Sequence, residues 1–497
     1  MNGSHVLILP PLEAEARRRL VGALKKSGGP YQVLEDPAAI FRSVRSEGIE
    51  SKDRGGFLRR EKEKGWISFG LPEAYFGSQV QEWVMNAEGG GISRSLEKIE
   101  ARLVASGIEA ASLRGGSGQL AKGFQRRYLV QVYHLQALQA VPLSGGSLRT
   151  GMPIPQDAAG PSPDSPLWRR LSKTAIRALY ALGLDYGEVV IRAGEDGQTI
   201  VERLSTGADW RAPGWEKRMA IAMREQLEKL YSWQKEAPSR LIGMDPEFLL
   251  FDPDSRKVIP ASRYLARQGI AGCDVLRYRG QRRFPLAELR PEPGAEPREV
   301  VVHLLEAFRV ARTAISDSRL IWQAGAMPQR GFPLGGHLHF SGVPLCAELL
   351  RALDNYLALP VALLEDERSS RRRPRYGFLG DYRLQDYGGF EYRTLPSFLV
   401  SPLATKGIVA LASVIAEDFR QLRQRPLDRD EVFHAFYTGN KEVLAQQWPP
   451  LASELMKLPA YERYQTYIKP LFDYIASGMT WDESADIRVF WKMQMDS

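Results

Sequence analysis

The sequence predicts an α+β protein in two parts: an N-terminal α/β domain and a C-terminal half built on a curved antiparallel sheet with one helix-covered face. Three observations lead there. The chain has 497 residues, more than one hydrophobic core normally organises. From residue 241 onward, short strand patterns alternate with long amphipathic helix patterns. Four of those strands each carry two ionisable residues spaced two apart, so that both point to one side.

The elements follow in chain order. A helix is expected from about Glu13 to Lys26, and another over 93–107, closed by Gly107. RRYLVQVYHLQALQAVPL, from Arg126, alternates as a strand or hairpin. Residues 144–166 are rich in Gly, Ser and Pro and read as a linker. LWRRLSKTAIRALYALGLD is a helix with Leu171, Ala175, Ala178, Leu179 and Leu182 on one side. EVVIRAGEDGQTIVERLS is a strand pair around a glycine turn, and a charged helix over about 214–235 leads to APSR at 237–240. The domain boundary is placed there, giving 1–236 and 237–497.

In the second half, LIGMDPEFLLFD and FPLAELRPEP are the first two strands. PREVVVHLLEAFRVARTAIS is a helix with Val301, Leu304, Leu305, Phe308, Ala311 and Ile315 on its buried side. GGHLHFSG and GGFEYRTLPSF are two further strands, each followed by a long apolar helix. LPAYERYQTYIKPLFDYIASG is a last helix, expected to close one side of the domain.

The paired residues are Asp245 and Glu247, Glu288 and Arg290, His337 and His339, and Glu391 and Arg393. Between and around them Leu289, Leu338, Phe340 and Tyr392 face the other way, toward the covering helices. Four acids on one partly dry face repel each other unless cations neutralise them. Magnesium or manganese suits such a set, because a hard cation takes carboxylate oxygens and keeps water and phosphate as its other ligands. The histidines can complete the sphere or hold phosphate. Arginines bind phosphate oxygens bidentately. Candidates are Arg290, Arg383, Arg393 and, from the five arginines of 368–375, Arg375. The rest of that run reads as a solvated basic loop. His303 and His134 carry no assigned role.

Lysine and arginine number 67 against 59 aspartates and glutamates, a formal charge of +8. This favours anionic ligands, phosphate or nucleic acid alike. The tryptophans do not interleave with a basic patch, which argues against a single-strand nucleic-acid platform. No apolar run spans a bilayer, no secretory pattern opens the chain, and two cysteines make no disulfide framework. A cytoplasmic protein is expected.

The order DPE, ELRP, GGHLH, RYG, EYRT resembles the amidoligases (carboxylate–amine ligases) of the glutamine synthetase and glutamate–cysteine ligase superfamily, over roughly 240–425. The resemblance implies Glu247, Glu288, His337 and Glu391 as metal ligands, with Asp245 where glutamate is more usual. It implies Arg393 on ATP phosphate or an acyl-phosphate, Glu247, Glu288, Arg375 and Arg393 in catalysis, and His339 among the nucleotide contacts with the arginines. The implied reaction is ATP- and magnesium-dependent amide formation from small-molecule or peptide carboxylate and amine substrates. It leaves homo-oligomerisation open. Residues 173–210 are similar to the metal-bearing end of ATP-grasp proteins. Glu188 and Glu202 fit the acids, and Leu204 stands where asparagine belongs, which implies a degenerate domain. Two readings of other kinds stay open on the residues alone: a non-catalytic nucleotide or nucleic-acid binder, and a guanidino-type phosphotransferase.

Overall fold

The structure, a computed structural model, describes residues 5–9, 14–29, 31–34, 65–69, 81–86, 94–111, 125–143, 160–206, 211–236, 239–278 and 281–493. The linker read over 144–166 lies outside the described residues up to 159. The chain divides into two compact units, Met1–Ala237 and Pro238–Ser497. Among the described residues no helix is long and apolar enough to cross a membrane.

The first unit holds two sheets. Strands β1 (His5–Leu9), β2 (Tyr31–Leu34), β3 (Gly65–Phe69) and β4 (Gln81–Val84) pair in parallel, in the order β2-β3-β1-β4. A second sheet has β5 (Glu109–Ala110), β6 (Gln125–Tyr133), β7 (Gln136–Leu143), β8 (Tyr186–Gly194) and β9 (Thr199–Ser205), in the order β5-β9-β8-β6-β7. Helices α1 (Ala14–Ser27) and α2 (Leu96–Ala105) precede α3 (Pro166–Ala181), whose apolar stripe is buried with Val130, Val189, Ile191 and Val201. Ser165 caps α3 by accepting the Trp168 N–H. Helix α4 (Trp215–Glu236) ends the unit.

The second unit is mixed α+β with a curled antiparallel sheet. Its spine is β10 (Leu241–Asp252), long enough to change partners along its length. It pairs in turn with β15 (Gly336–Ser341), β13 (Gln281–Leu289), β11 (Lys257–Ile259) and β14 (Ile321–Gln323). β12 (Ala271–Tyr278) extends the sheet beyond β13, and β17 (Phe390–Tyr392) with β16 (Tyr382–Leu384) extends it beyond β15. The sequence reading finds four of these eight strands. β11, β14 and β16 have three residues each, too few to show a period.

One face is apolar. Ala287, Leu289, Leu338, Phe340, Phe390 and Tyr392 are all essentially inaccessible. Helix α5 (Pro297–Ala314) opens with a capping box between Glu296 and Glu299 and buries Val300, Val301, Leu304, Ala307, Phe308 and Ala311. Leu305, expected inside, is 37% exposed, because the stripe is centred on Leu304 and Phe308 rather than one residue on. The next helix is not continuous: α6 (Ala347–Leu353) and α7 (Leu359–Leu364) are separated by a π segment, Asp354–Ala358. Pro360, with no N–H to give, lies just beyond it. The buried Asp354 carboxylate at this break accepts the Tyr392 hydroxyl at 2.7 Å and so ties the helix to β17. Helix α8 (Pro402–Asp418) packs against α9 (Pro459–Ala476).

Candidate active site

The opposite face of the sheet carries the ionisable residues, and pairing register brings them together. Residues directly opposite in antiparallel strands share a face. Glu247 is opposite Glu288, Asp245 opposite His337, His339 opposite Glu391, and Glu391 opposite Arg383. Four strands apart in sequence thus deliver one row of side chains. Glu247 and Glu288 are each 5% exposed, His337 8% and Glu391 1%.

Two groups of close ligand atoms result. In one, Asp245, His337 and Glu391 place an oxygen or nitrogen each within 4.8 Å of one another; in the other, Glu247, Asp274 and Glu288 do the same. Asp274, on β12, is absent from the sequence reading. The residue two positions on, Leu276, is apolar, and the register slips between Asp274 and Leu276, so no spacing signal marks it. Only the pairing of β12 with β13 shows where it goes.

Within the first group His337 Nδ1 lies 2.9 Å from Asp245 Oδ1 and 3.1 Å from Glu391 Oε1, and His339 Nε2 lies 3.1 Å from Asp245 Oδ2. These approaches lack hydrogen-bond alignment. Asp245 Oδ1, His337 Nδ1, His339 Nε2 and Glu391 Oε1 are buried without a hydrogen-bond partner. Buried lone pairs left unsatisfied in this way cost stability unless something accepts them. A shared divalent cation would do so, with the two carboxylates as hard oxygen donors and the imidazole as a nitrogen donor.

The electrostatics agree with a site waiting for positive charge. Burial pushes Glu247 up to about 7, with Asp274 and Asp245 adding repulsion. Burial and the charges of Asp245 and Glu247 push Glu288 up to about 9. Burial alone would raise Asp245, yet the His337 and His339 imidazoles hold it well below the carboxylate range. For His337, burial opposes a charge, but the Asp245 carboxylate outweighs it and keeps the ring above its ordinary value.

The glycine pair of GGHLH makes room for this. A Cβ at Gly335 would overlap His337 Nε2, and one at Gly336 would overlap the Pro396 carbonyl oxygen. Gly335 also clamps Glu247: its N–H donates to Glu247 Oε2 at 2.6 Å, and its carbonyl accepts the Glu247 N–H at 2.9 Å.

Three of the four expected arginines border the acids. Arg383 and Arg393 each lie 3.2 Å from a Glu391 oxygen, and Arg290 pairs with Glu288. Gln385 donates to Glu391 Oε2 at 2.9 Å. Arg375 is exposed, with its guanidinium over the Tyr376 ring, and none of its contacts is with these acids. The arginine run is also not a solvated loop. Arg372 is buried and donates to the carbonyls of Thr394 and Leu395, just past β17, while Arg373 forms a buried bidentate pair with Glu365. The carbonyl partners of Arg372 lie more than twenty residues along the chain, which local charge density does not reveal.

In the first unit the two acids named for a metal are already committed. Glu188 accepts the backbone N–H groups of Arg211 and Ala212, and Glu202 pairs with Arg127 and Arg192.

The sheet thus presents one face of carboxylates and imidazoles rimmed by arginine. Residues 242–493, just over half of the chain, match the profile of the family described as Phage phiEco32-like COOH.NH2 ligase-type 2. The chain belongs to that family, and so is a carboxylate–amine ligase, an enzyme that forms amide bonds. No curated protein matches it. The ATP-grasp ligase PsnB, solved with minimal precursor, Mg and ADP, aligns over 46% of this chain and 97% of its own at 13% identity and a TM-score of 0.26. GmaS without ligand aligns over 71% and 92% at 13% identity and a TM-score of 0.29. Likenesses this faint carry no weight for fold or mechanism.

Proposed function

We propose that this cleft activates the carboxylate of an amino acid or peptide by phosphorylation and then lets an amine displace the phosphate. The γ-phosphoryl group of ATP passes to a carboxylate oxygen, releasing ADP. The amine nitrogen attacks the resulting acyl-phosphate carbon, loses a proton, and inorganic phosphate leaves. Asp245, His337 and Glu391 would hold one divalent cation, and Glu247, Asp274 and Glu288 a second. When bound, these cations offset the charge of the phosphates. Arg290, Arg383 and Arg393 stand at the rim of both groups, where guanidinium can take phosphate oxygens and charge that builds during transfer. His339, facing Asp245, fits a phosphate contact better than a third ligand. On this reading the first unit is a scaffold or substrate-binding domain, not a second ligase, and the protein works in the cytoplasm.

The observation that carries the reading is the pair of three-ligand groups on one sheet face. Its test is ADP release with magnesium and a mixture of the twenty amino acids. Glu247→Gln and Glu391→Gln are expected to lose turnover by about a hundredfold or more, with an unchanged circular dichroism spectrum. Full activity in both variants would remove the assignment.

A further inference from the structure

The β12–β13 hairpin grows directly out of the two strands that bear Asp274 and Glu288. Val275–Pro285 contains four arginines and no acid. Arg277 and Arg282 stand directly opposite each other across the ladder, and both are exposed. Like charges in that position repel. Among the described residues neither has a carboxylate partner. Arg283, beside them, is exposed as well, and Arg267 lies with its guanidinium over the Phe284 ring, 4.8 Å from its centroid, a placement that fixes its direction. Val275, in the same strand, is 39% exposed.

We propose that this hairpin is a docking surface for an acidic, extended peptide, and that the carboxylate substrate of the cleft belongs to such a peptide. The proposal rests on the ligase reading given above. A cross-strand arginine pair is tolerable where counter-anions cover it, and two guanidiniums on adjacent strands match two carboxylates of an extended chain. Strand spacing sets the reach. Arg277 is three residues from Asp274 and Arg282 is six from Glu288, roughly 10–20 Å along the sheet. A peptide anchored there by acidic side chains can lay a carboxyl about three to six residues away over the acids of the cleft. Nucleic acid is the less favoured partner, because the Phe284 ring beside the arginines is half-buried and already covered by the Arg267 guanidinium rather than open to a base.

The test is fluorescence anisotropy of labelled hexaglutamate with the full chain, in low salt and without nucleotide. An Arg277→Glu/Arg282→Glu double variant is expected to weaken hexaglutamate binding about tenfold or more, while manganese binding at the cleft stays as in the parent. Equal hexaglutamate affinity in parent and double variant would overturn the proposal. So would a dodecameric oligothymidylate that binds the parent more tightly than hexaglutamate and loses affinity in the same variant. Manganese titration of the parent separates the two readings. Absent cation binding strikes the ligase site, whereas hexaglutamate affinity unchanged by the double substitution strikes only the hairpin.

Discussion

Gly335 and Asp274 are where single atoms decide most. Gly335→Ala puts a methyl group where the His337 ring sits, so the ring or the strand has to shift. The expected cost is about 1–3 kcal/mol of stability, together with weaker cation binding, read by thermal melting and manganese titration. Melting and titration equal to the parent would show that the glycine is not needed for space. Asp274→Asn removes one charge from the Glu247–Asp274–Glu288 group and should weaken binding of one cation while leaving the other. Residues that share a strand with a like partner two positions on were legible in the sequence, because alternation alone puts them on one face. Asp274 was not, since its placement comes from register with a neighbouring strand. Arg372 was misread for a related reason: its carbonyl partners lie at Thr394 and Leu395, and burial by distant chain leaves no local mark.

Opposed β10 and β13 make acidity an element-level property. Glu247 and Glu288 face each other, and burial lifts their pKa values from 4.5 to about 7 and about 9. Each therefore keeps a proton in the folded chain that the unfolded chain has lost. Below the unfolded value the two states bind alike; as pH climbs toward 9 the folded state gives up its protons at a cost, so cation-free stability falls. A divalent cation replaces those protons, and its affinity rises with pH. Magnesium is expected to raise the melting temperature by several degrees more at pH 8.5 than at pH 6. An equal shift at both values would contradict the coupling. The long helices and the four strands with paired charges were readable, as was the apolar face, because each repeats a period. The π segment ahead of Pro360 repeats none, and neither do β11, β14 and β16.

Across the second unit, the last seventy residues turn out to brace the site-bearing sheet. The buried Glu483 carboxylate accepts the N–H groups of Ala326 and Met327 and the Ser369 hydroxyl. It sits where a side chain at Gly325 would be, a glycine with φ of +114°. The Trp491 indole N–H reaches the Leu399 carbonyl. Glu483→Ala is expected to cost about 3 kcal/mol, since it strands several buried donors at once, and chemical denaturation measures it. A loss below about 0.5 kcal/mol would show that the segment is not a brace. None of this was legible, because one glutamate in a polar stretch gives no sign of the loop it closes on. The division near residue 237, by contrast, coincides with a change of pattern visible in the sequence.

The claim beneath all of this is that two cations sit on one face of the sheet. Anomalous diffraction from crystals grown with manganese and a non-hydrolysable ATP analogue tests it most directly. Two peaks are expected, one among Asp245, His337 and Glu391 and one among Glu247, Asp274 and Glu288, each at about 2.0–2.3 Å from its ligands. Nucleotide bound with no peak at either group would contradict it.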